Sequence, residues 1–254
     1  MTATKRIAVA GATGRVGRHV VDLLGEAGHD VVPIARSSGV DLISGSGLAE
    51  ALAGVECVVD AATGPSPEQR AATEFFTSAT GNLHEAGRAA GVGRLVVVSI
   101  IGCDRFSAGY NAAKVAHERA ALAGPIPAHI LRAAQFHELV EQLLEWGTRG
   151  DVGYVPAMHT QLVAARSVAE SLVELAVASA PADGPITEIA GPRVERLVEM
   201  ARLAAARRGG PQRVEEPSDP DDPDHELYAT DGLLPGPNAT VAGPTYEQWL
   251  AATA

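Results

Sequence analysis

The stretch GATGRVG (11–17) decides the fold. It follows the short apolar run RIAVA (6–10), which is typical of a buried parallel strand, and it opens a helix with one apolar stripe. In this strand–loop–helix context the three glycines are typical of a dinucleotide-binding loop. Gly11 permits the tight turn, Gly14 lets the backbone approach a pyrophosphate, and Gly17 lets the helix pack on the sheet. The alternative is a glycine-rich turn that binds no ligand.

Strands and helices alternate along the first half of the chain, which predicts a doubly wound parallel α/β sheet of the Rossmann type. After about residue 135 helices follow one another without a clear parallel-strand pattern. We therefore predict a dinucleotide-binding core over residues 1–134 and a smaller substrate lobe over residues 135–254, packed closely enough to count as one domain. The predicted strands are 6–10, 29–36, 40–43, 56–62, 94–100 and about 129–132. Ser66 is predicted to cap the long helix that follows the fourth of these strands.

Composition and charge exclude several function classes. Of the 254 residues, 46% are hydrophobic and 4% aromatic, which favours a globular protein with an aliphatic core. The net charge of −11 argues against a nucleic acid or an anionic membrane as partner, because both need clustered Lys and Arg. Part of the acidic excess lies in EEPSDPDDPDHE (215–226), which predicts a solvated loop. We expect a small-molecule substrate and a monomer or homodimer.

Location and metal content are also constrained. The longest apolar run, LVVVSIIGC (95–103), is too short to cross a membrane, and the N-terminus lacks the apolar length of a signal peptide. The chain has two cysteines, Cys57 and Cys103, which is too few for a disulfide framework. We predict that both are small buried residues. No His, Cys or Asp spacing indicates a metal site. We expect a cytoplasmic protein.

The end of the second strand indicates which cofactor is bound. An NAD-binding protein is expected to place Asp or Glu there for the ribose hydroxyls, whereas this chain has Arg36 followed by Ser37 and Ser38. A guanidinium can bind a 2′-phosphate through several donors, and Arg15 is a second candidate cation. NADP(H) is therefore preferred over NAD(H), unless Arg36 is an ordinary surface arginine.

Three motifs together resemble the short-chain dehydrogenase/reductase superfamily: GATGRVG, SIIG (99–102) and YNAAK (110–114). LRAAQFHELV (131–140) and the closing EQWLA (247–251) are similar to its atypical NmrA-like branch. The resemblance covers essentially the whole chain and is densest in the first 140 residues. It implies that Ser99, Tyr110 and Lys114 are the catalytic residues, with Tyr110 and Lys114 as the YxxxK pair.

The resemblance also implies that Asp41 and Leu42 contact adenine and that Ala61, Ala62 and Thr63 line the cofactor. The predicted cofactor-binding residues are Gly11, Thr13, Gly14, Arg15, Val16, Gly17, Arg36, Ser37, Asp41, Leu42, Ala61, Ala62, Thr63 and Lys114.

The chemistry of carbonyl reduction fits these catalytic residue types, because the oxygen needs a proton as hydride reaches the carbon. A tyrosine with a pKa of about 10 is a slow acid at neutral pH, and an ammonium nearby is expected to lower that pKa. Lys114 is also expected to hydrogen-bond the nicotinamide ribose, and Ser99 to hold the substrate oxygen. We predict an NADP(H)-dependent oxidoreductase that reduces a ketone or quinone-like carbonyl.

Two departures from the family pattern keep alternatives open. Tyr110 follows Ser99 by only 11 residues, and Phe76 stands about where better-known branches have a relay asparagine, while Asn82 comes one to two turns later. One alternative is a regulator that senses NADP(H) and does no chemistry. Another is an epimerase or dehydratase that retains its cofactor, although the sequence gives no sign of a sugar-nucleotide pocket.

Candidate substrate residues come from the second half of the chain. Gln135, Phe136 and His137 follow the sixth predicted strand, where a substrate pocket is expected to begin, and His159 and Gln161 are further candidates. A structural role on an amphipathic helix is the alternative for His137. Trp146 and Trp249 are predicted to anchor the packing of this lobe.

Overall fold

The computed structural model describes residues 3–179, 184–217 and 221–253. The strands are β1 (Arg6–Ala10), β2 (Asp30–Ile34), β3 (Cys57–Asp60), β4 (Arg94–Ile100), β5 (Ala128–Ala133), β6 (Thr148–Arg149), β7 (Val152–Tyr154), β8 (His159–Thr160), β9 (Ile186–Ala190), β10 (Glu195–Arg196), β11 (Arg213–Glu215) and β12 (Thr240–Val241). The helices are α1 (Gly17–Glu26), α2 (Leu48–Ala51), α3 (Gln69–Ala90), α4 (Gly109–Ala123), α5 (His137–Gly147), α6 (Ala165–Val177), α7 (Leu197–Arg208), α8 (His225–Ala229) and α9 (Tyr246–Ala252). Short 3₁₀ turns lie at Arg36–Ser38, Cys103–Arg105 and Asp231–Leu233.

The central sheet has seven strands in the order β12-β9-β5-β4-β3-β1-β2, which confirms the predicted Rossmann-type fold. β1 pairs in parallel with β2 and β3, and β3 pairs in parallel with β4. In this register Ala10 lies opposite Asp60, and Asp60 lies opposite Val97. The carboxyl ends of these three strands therefore meet at one edge of the sheet, which is where open α/β sheets bind their ligands.

The helix–strand alternation is mostly as predicted, with three local corrections. Residues 40–43 are irregular and lead into a turn at 42–44, so the prediction of a third strand there is wrong. Helix α3 begins at Gln69 rather than at Ser66, because the Glu68 side chain accepts from the Ala71 N–H and caps the helix. The sequence reading also missed β9 and β12, which extend the central sheet.

Contacts divide the chain into two compact units that do not follow chain order. Unit 1 comprises Met1–Ser99, Gly109–Arg132 and Val168–Thr187, and unit 2 comprises Ile100–Ala108, Ala133–Ser167 and Glu188–Ala254. The core of unit 1 is aliphatic, as the scarcity of aromatic residues predicts, with Val58, Leu83, Leu95 and Ile130 among its buried side chains. Cys57 is part of this buried strand layer, and burial raises the pKa of its thiol to about 12.

Unit 2 has its own core, in which Leu144, Leu197 and Tyr246 are fully or almost fully buried. Trp249 packs against this core, as predicted, but Trp146 is 57% exposed and the prediction that it anchors the packing is wrong. The acidic segment 215–226 is not simply solvated. Asp224 is buried, and its carboxylate accepts from the N–H groups of Ser107 and Ala108 at 2.8 Å. Residues 218–220 of that segment lie outside the described residues.

An ion pair inside unit 1 joins helix α4 to strand β5. Arg132 donates from Nε and Nη2 to the two oxygens of Glu118 at 2.9 and 2.7 Å, and the two side chains are 11% and 6% exposed. Both charges are largely removed from water, so each depends on the other for compensation.

Replacing Arg132 with Met is therefore expected to lower the free energy of unfolding by about 3–5 kcal/mol, because it leaves a buried carboxylate without its guanidinium. The measurement is urea unfolding followed by circular dichroism. Arg70 is the matched control, because it pairs with Glu74 on the exposed face of α3. Arg70→Met is expected to change stability by less than about 1 kcal/mol. Equal effects of the two substitutions would show that the buried pair is not structural.

Candidate active site

The glycine loop has the close backbone contacts that the sequence predicts. Gly11 has φ +74°, and a Cβ added there would lie 2.7 Å from the carbonyl oxygen of Ala61. A Cβ added at Gly17 would collide with the carbonyl oxygen of Gly11. Gly14 donates its N–H to that same carbonyl at 2.8 Å, which closes the turn. The loop therefore accepts no side chain at its first and third glycines.

The start of helix α1 suits a bound phosphate. The first N–H groups of an α-helix have no acceptor within the helix and carry the positive end of its dipole. At α1 the N-cap residue Val16 makes no side-chain cap, and the first turn carries no acidic residue. The N–H groups of Arg18 and His19 already donate to the carbonyls of Gly14 and Val16. A dinucleotide's pyrophosphate would supply the negative charge that the first turn lacks at the positive end of the helix dipole, so these residues fit the cofactor that the loop predicts.

The predicted adenine end lies in the same unit. Asp41 accepts from the N–H groups of Ile43 and Ser44 at 2.7 and 2.9 Å, and these bonds, with the Arg36 charge acting in the same direction, lower the pKa of its carboxyl. Asn82 donates to the carbonyls of Leu42 and Ile43, both at 2.8 Å. Asn82 therefore holds the turn at Leu42 and Ile43, and its amide is engaged there rather than beside Tyr110.

The remaining predicted cofactor residues differ in exposure. Ala61 and Ala62 are buried against the glycine loop, whereas Thr13, Thr63, Arg36 and Ser37 are exposed. Ser38 does not point to a ligand, because its hydroxyl donates to the carbonyls of Ala35 and Pro33 and stabilises the 3₁₀ turn. Arg36 opens that turn, with its side chain in solvent. Arg36 is thus placed after β2, as an arginine that meets a 2′-phosphate must be.

The three predicted catalytic residues all belong to unit 1. Ser99 is buried near the end of β4, and Tyr110 and Lys114 lie one turn apart at the start of α4. Tyr110 is partly buried, and its ring meets the Phe76 ring edge to face with centroids 5.8 Å apart. Phe76 therefore stands beside Tyr110.

Lys114 is 4% exposed, which is rare for a lysine. Its Nζ donates to the carbonyl oxygen of Val98 and to Nδ1 of His117, both at 2.8 Å. The same ammonium lies 4.4 Å from the centre of the Phe76 ring, within the range of a cation–π interaction. Three different partners thus hold the ammonium in the interior of unit 1.

Behind Lys114 lies a pair that the sequence reading missed. His117 Nε2 lies 3.1 Å from the carboxylate of Asp60, and the two side chains are 1% and 2% exposed. Because an ammonium can only donate, Nδ1 of His117 must accept, and the ring proton must lie on Nε2 and point to Asp60. Two features of the sequence could have indicated this pair: an acidic residue at the end of the buried run CVVD, and a histidine three residues after Lys114.

The pKa shifts agree with this arrangement. Burial lowers the pKa of His117, and the charge of Lys114 lowers it further, so the ring is neutral. Burial acts to raise the pKa of Asp60, but hydrogen bonds from His117 and from the Ala62 N–H hold it below its ordinary value. The contacts therefore run from the carboxylate of Asp60 through the neutral imidazole of His117 to the ammonium of Lys114.

The pKa of the Tyr110 phenol is shifted in the direction opposite to the one predicted. Burial raises the pKa of this phenol to about 12, where a lowered pKa was predicted. The reason is geometric, because Lys114 directs donors to Val98 and His117 while the aromatic ring of Phe76 lies against the tyrosine. Tyr110 is therefore protonated at physiological pH and can act as a proton donor.

The predicted substrate residues lie in unit 2, where they contact other parts of that unit. Gln135 accepts from the hydroxyl of Thr160 at 2.5 Å. His137 is fully buried, and its Nε2 lies 3.1 Å from the carbonyl oxygen of Pro244. Gln161 donates to the carbonyl of Gly191 at 2.6 Å. Phe136 and His159 are half-buried. A role for Gln135, Phe136 and His137 in substrate binding stays a prediction.

Metal sites and membrane-spanning helices are both absent from the described residues. Among these residues, no three His, Cys, Asp or Glu side chains come together as a metal site would need. None of the helices described is long and apolar enough to cross a membrane.

Comparison with known proteins agrees with the glycine loop. The family model described as NAD(P)H-binding matches residues 11–146, more than half of the chain. No curated protein matches the sequence.

Many solved structures share the fold. One is MoeE5 in complex with UDP-glucose and NAD, with 22% identity, coverage of 83% of this chain and 85% of that one, and a TM-score of 0.67. Another is the Bordetella bronchiseptica enzyme WbmG in complex with NAD, with 16% identity, coverage of 98% and 94%, and a TM-score of 0.70. A third is TunA, an NAD-dependent NDP-hexosamine 5,6-dehydratase, with 16% identity, coverage of 97% and 98%, and a TM-score of 0.71. At these identities the likeness shows the fold.

The glycine loop offers a direct test of the cofactor site. Gly17→Ala is expected to weaken dinucleotide binding at least about tenfold, because the added methyl group displaces the backbone of the first turn. Gly25→Ala is the control on the same helix, since nothing lies within 4 Å of its added Cβ. Gly25→Ala is expected to leave binding unchanged and to stabilise the fold by about 0.5–1 kcal/mol. Isothermal titration calorimetry measures both, and equal affinities for the two variants would contradict the assigned loop.

Proposed function

The chain belongs to the NAD(P)H-binding family, and we propose that it is an NADP(H)-dependent oxidoreductase of the short-chain dehydrogenase/reductase type that reduces a ketone or quinone-like carbonyl. Within that superfamily we place it in the atypical NmrA-like branch. The observation that carries the proposal is the buried ammonium of Lys114 one helical turn from Tyr110. Holding a charge inside a protein is unfavourable, and such charges are concentrated at functional sites.

The residues have distinct tasks in this reaction. When bound, the nicotinamide supplies the hydride that adds to the carbonyl carbon. The phenol of Tyr110 donates its proton to the carbonyl oxygen, and the product is the alcohol. An alkoxide is a much stronger base than a phenolate, so the donation is favourable even from a tyrosine with a pKa of about 12. Ser99 orients the carbonyl oxygen, and we assign Lys114 to the nicotinamide ribose, because burial and not the ammonium sets the pKa of the Tyr110 phenol.

The preference for NADP(H) rests on Arg36. MoeE5 and WbmG are described in complex with NAD, so the proposed preference for NADP(H) depends on this chain's own residues. After β2 this chain has an exposed guanidinium and no carboxylate at positions 36–38. Arg36 can form two charge-assisted hydrogen bonds to a 2′-phosphate, with Arg15 as a second cation. Loss of such contacts typically changes affinity by one to two orders of magnitude.

A second candidate is a regulator that senses NADP(H) without chemistry. Phe76 favours it, because an aromatic ring beside Tyr110 cannot relay a proton as an asparagine can. The raised pKa of Tyr110 favours it as well. A sensor, however, has no need for a tyrosine one turn before a buried lysine. We therefore retain the reductase as the better-supported function.

Tyr110→Phe is expected to lower kcat/KM for NADPH-dependent reduction of a ketone at least about a hundredfold, because the proton donor is lost. NADPH affinity is expected to stay within about twofold of the wild type, because the ring is retained. Tyr154→Phe, at a tyrosine that is 40% exposed, is the control and is expected to change neither quantity. Unchanged reduction by Tyr110→Phe across a panel of ketones and quinones would remove the phenol from the mechanism.

Arg36→Ala is expected to weaken NADPH binding by about ten- to a hundredfold and to leave NADH binding within about twofold, because only NADPH carries the 2′-phosphate. Arg88→Ala, at an exposed arginine on α3, is the control. Fluorescence titration with each nucleotide measures the affinities. Equal losses for NADPH and NADH would mean that Arg36 does not recognise the phosphate.

A further inference from the structure

Two buried titratable residues lie behind Lys114 in unit 1. Asp60 ends strand β3, and His117 lies one turn after Lys114 on α4. The chain of contacts runs from the Asp60 carboxylate to His117 Nε2 at 3.1 Å and from His117 Nδ1 to Lys114 Nζ at 2.8 Å. The imidazole stacks on Phe76, with ring centroids 4.5 Å apart and planes 10° from parallel. The ring is thus fixed on both edges and on one face.

We propose that Asp60 and His117 are positioning residues for Lys114. Neutral His117 aims its Nδ1 lone pair at the ammonium, and Asp60 supplies the buried negative charge that balances it. The inference rests on the proposed function in one respect, namely that Lys114 lies beside the proton donor Tyr110 and hydrogen-bonds the nicotinamide ribose. Phe76 stands about where better-known branches have the relay asparagine, and the Asp60–His117 pair provides a fixed polar support for Lys114 beside that ring.

The charges around His117 allow the sign of its pH dependence to be worked out. The charged groups that act on it are Asp60 on β3 and Lys114 and Glu118 on α4, and the ring packed on its face from α3 is the uncharged Phe76. His84 on α3 interacts with Asp60, and Arg132 on β5 neutralises Glu118. A protonated imidazole has no lone pair for Lys114 and repels it. The arrangement therefore holds at neutral pH and is lost on the acid side of the ordinary histidine pKa of 6.5.

The first test needs no activity. Nitrogen-15 NMR of histidine-labelled, cofactor-free protein reports the tautomer of each ring, and His117→Gln identifies the signal of His117. In the wild type His117 is expected to stay neutral with the proton on Nε2 between about pH 8 and 6. In Lys114→Met its pKa is expected to rise, so that protonation begins at a higher pH than in the wild type, because burial still lowers the pKa but the nearby cation is gone. The buried His84 is the control and is expected to show no change.

The second test separates positioning from packing. In His117→Gln the side-chain oxygen can accept from Lys114 and the amide can donate to Asp60, but the group does not titrate. We expect this variant to keep kcat within about threefold of the wild type and to lose the acidic limb of the kcat/KM profile. His117→Leu packs without hydrogen bonds and is expected to lower kcat about a hundredfold, as for a catalytic group displaced by about 1 Å.

Two results would overturn the inference. One is a proton on Nδ1 of His117 in the wild type. The other is an equal kcat and an unchanged acidic limb in both His117 variants. If the protein reduced no carbonyl at all, the proposed function would fail, while the NMR result would still decide whether His117 accepts from Lys114. If His117→Leu did not fold, His117→Gln and Lys114→Met would carry the test.

Discussion

The ammonium of Lys114 is the charge on which the candidate site depends. An unpaired cation in a protein interior is strongly unfavourable, so the surrounding residues have to hold and balance it. Here a carbonyl at the end of β4, an aromatic ring on α3 and an imidazole on α4 all contact it. Asp60, at the end of β3, completes the arrangement. The parallel sheet makes this possible, because it brings the carboxyl ends of β3 and β4 to one edge.

Much of the fold and part of the site follow from local sequence patterns. GATGRVG predicts the phosphate loop because its glycines meet steric limits that no other residue satisfies, and the structure shows these limits at Gly11 and Gly17. The placement of Tyr110 and Lys114 one turn apart on a helix was predictable from their four-residue spacing. Asp60 and His117 were not paired in advance. They lie 57 residues apart, and only the register of the sheet and the packing of α4 bring them together.

Other differences arise where side-chain contacts with the backbone, local or distant, override the pattern of the sequence. Residues 40–43 read as a strand, but the Asp41 carboxylate binds two backbone N–H groups and forms a turn instead. The β9 strand, ITEIA, is too short and too polar to be distinguished from a loop by its pattern. Asp224 lies in an acidic run, yet it is buried because it accepts from the N–H groups of Ser107 and Ala108. A composition argument cannot single out one carboxylate from such a run.

The central claim is that this site transfers hydride and does not merely bind a dinucleotide. Its most direct test is incubation with NADPH that carries deuterium at nicotinamide C4, on each face in turn, together with a panel of ketones. Mass spectrometry then follows the label. The account predicts that one of the two labelled cofactors delivers deuterium to the carbinol carbon of an alcohol product. Tight binding of NADPH without consumption by any ketone or quinone would contradict it and would identify the protein as a sensor.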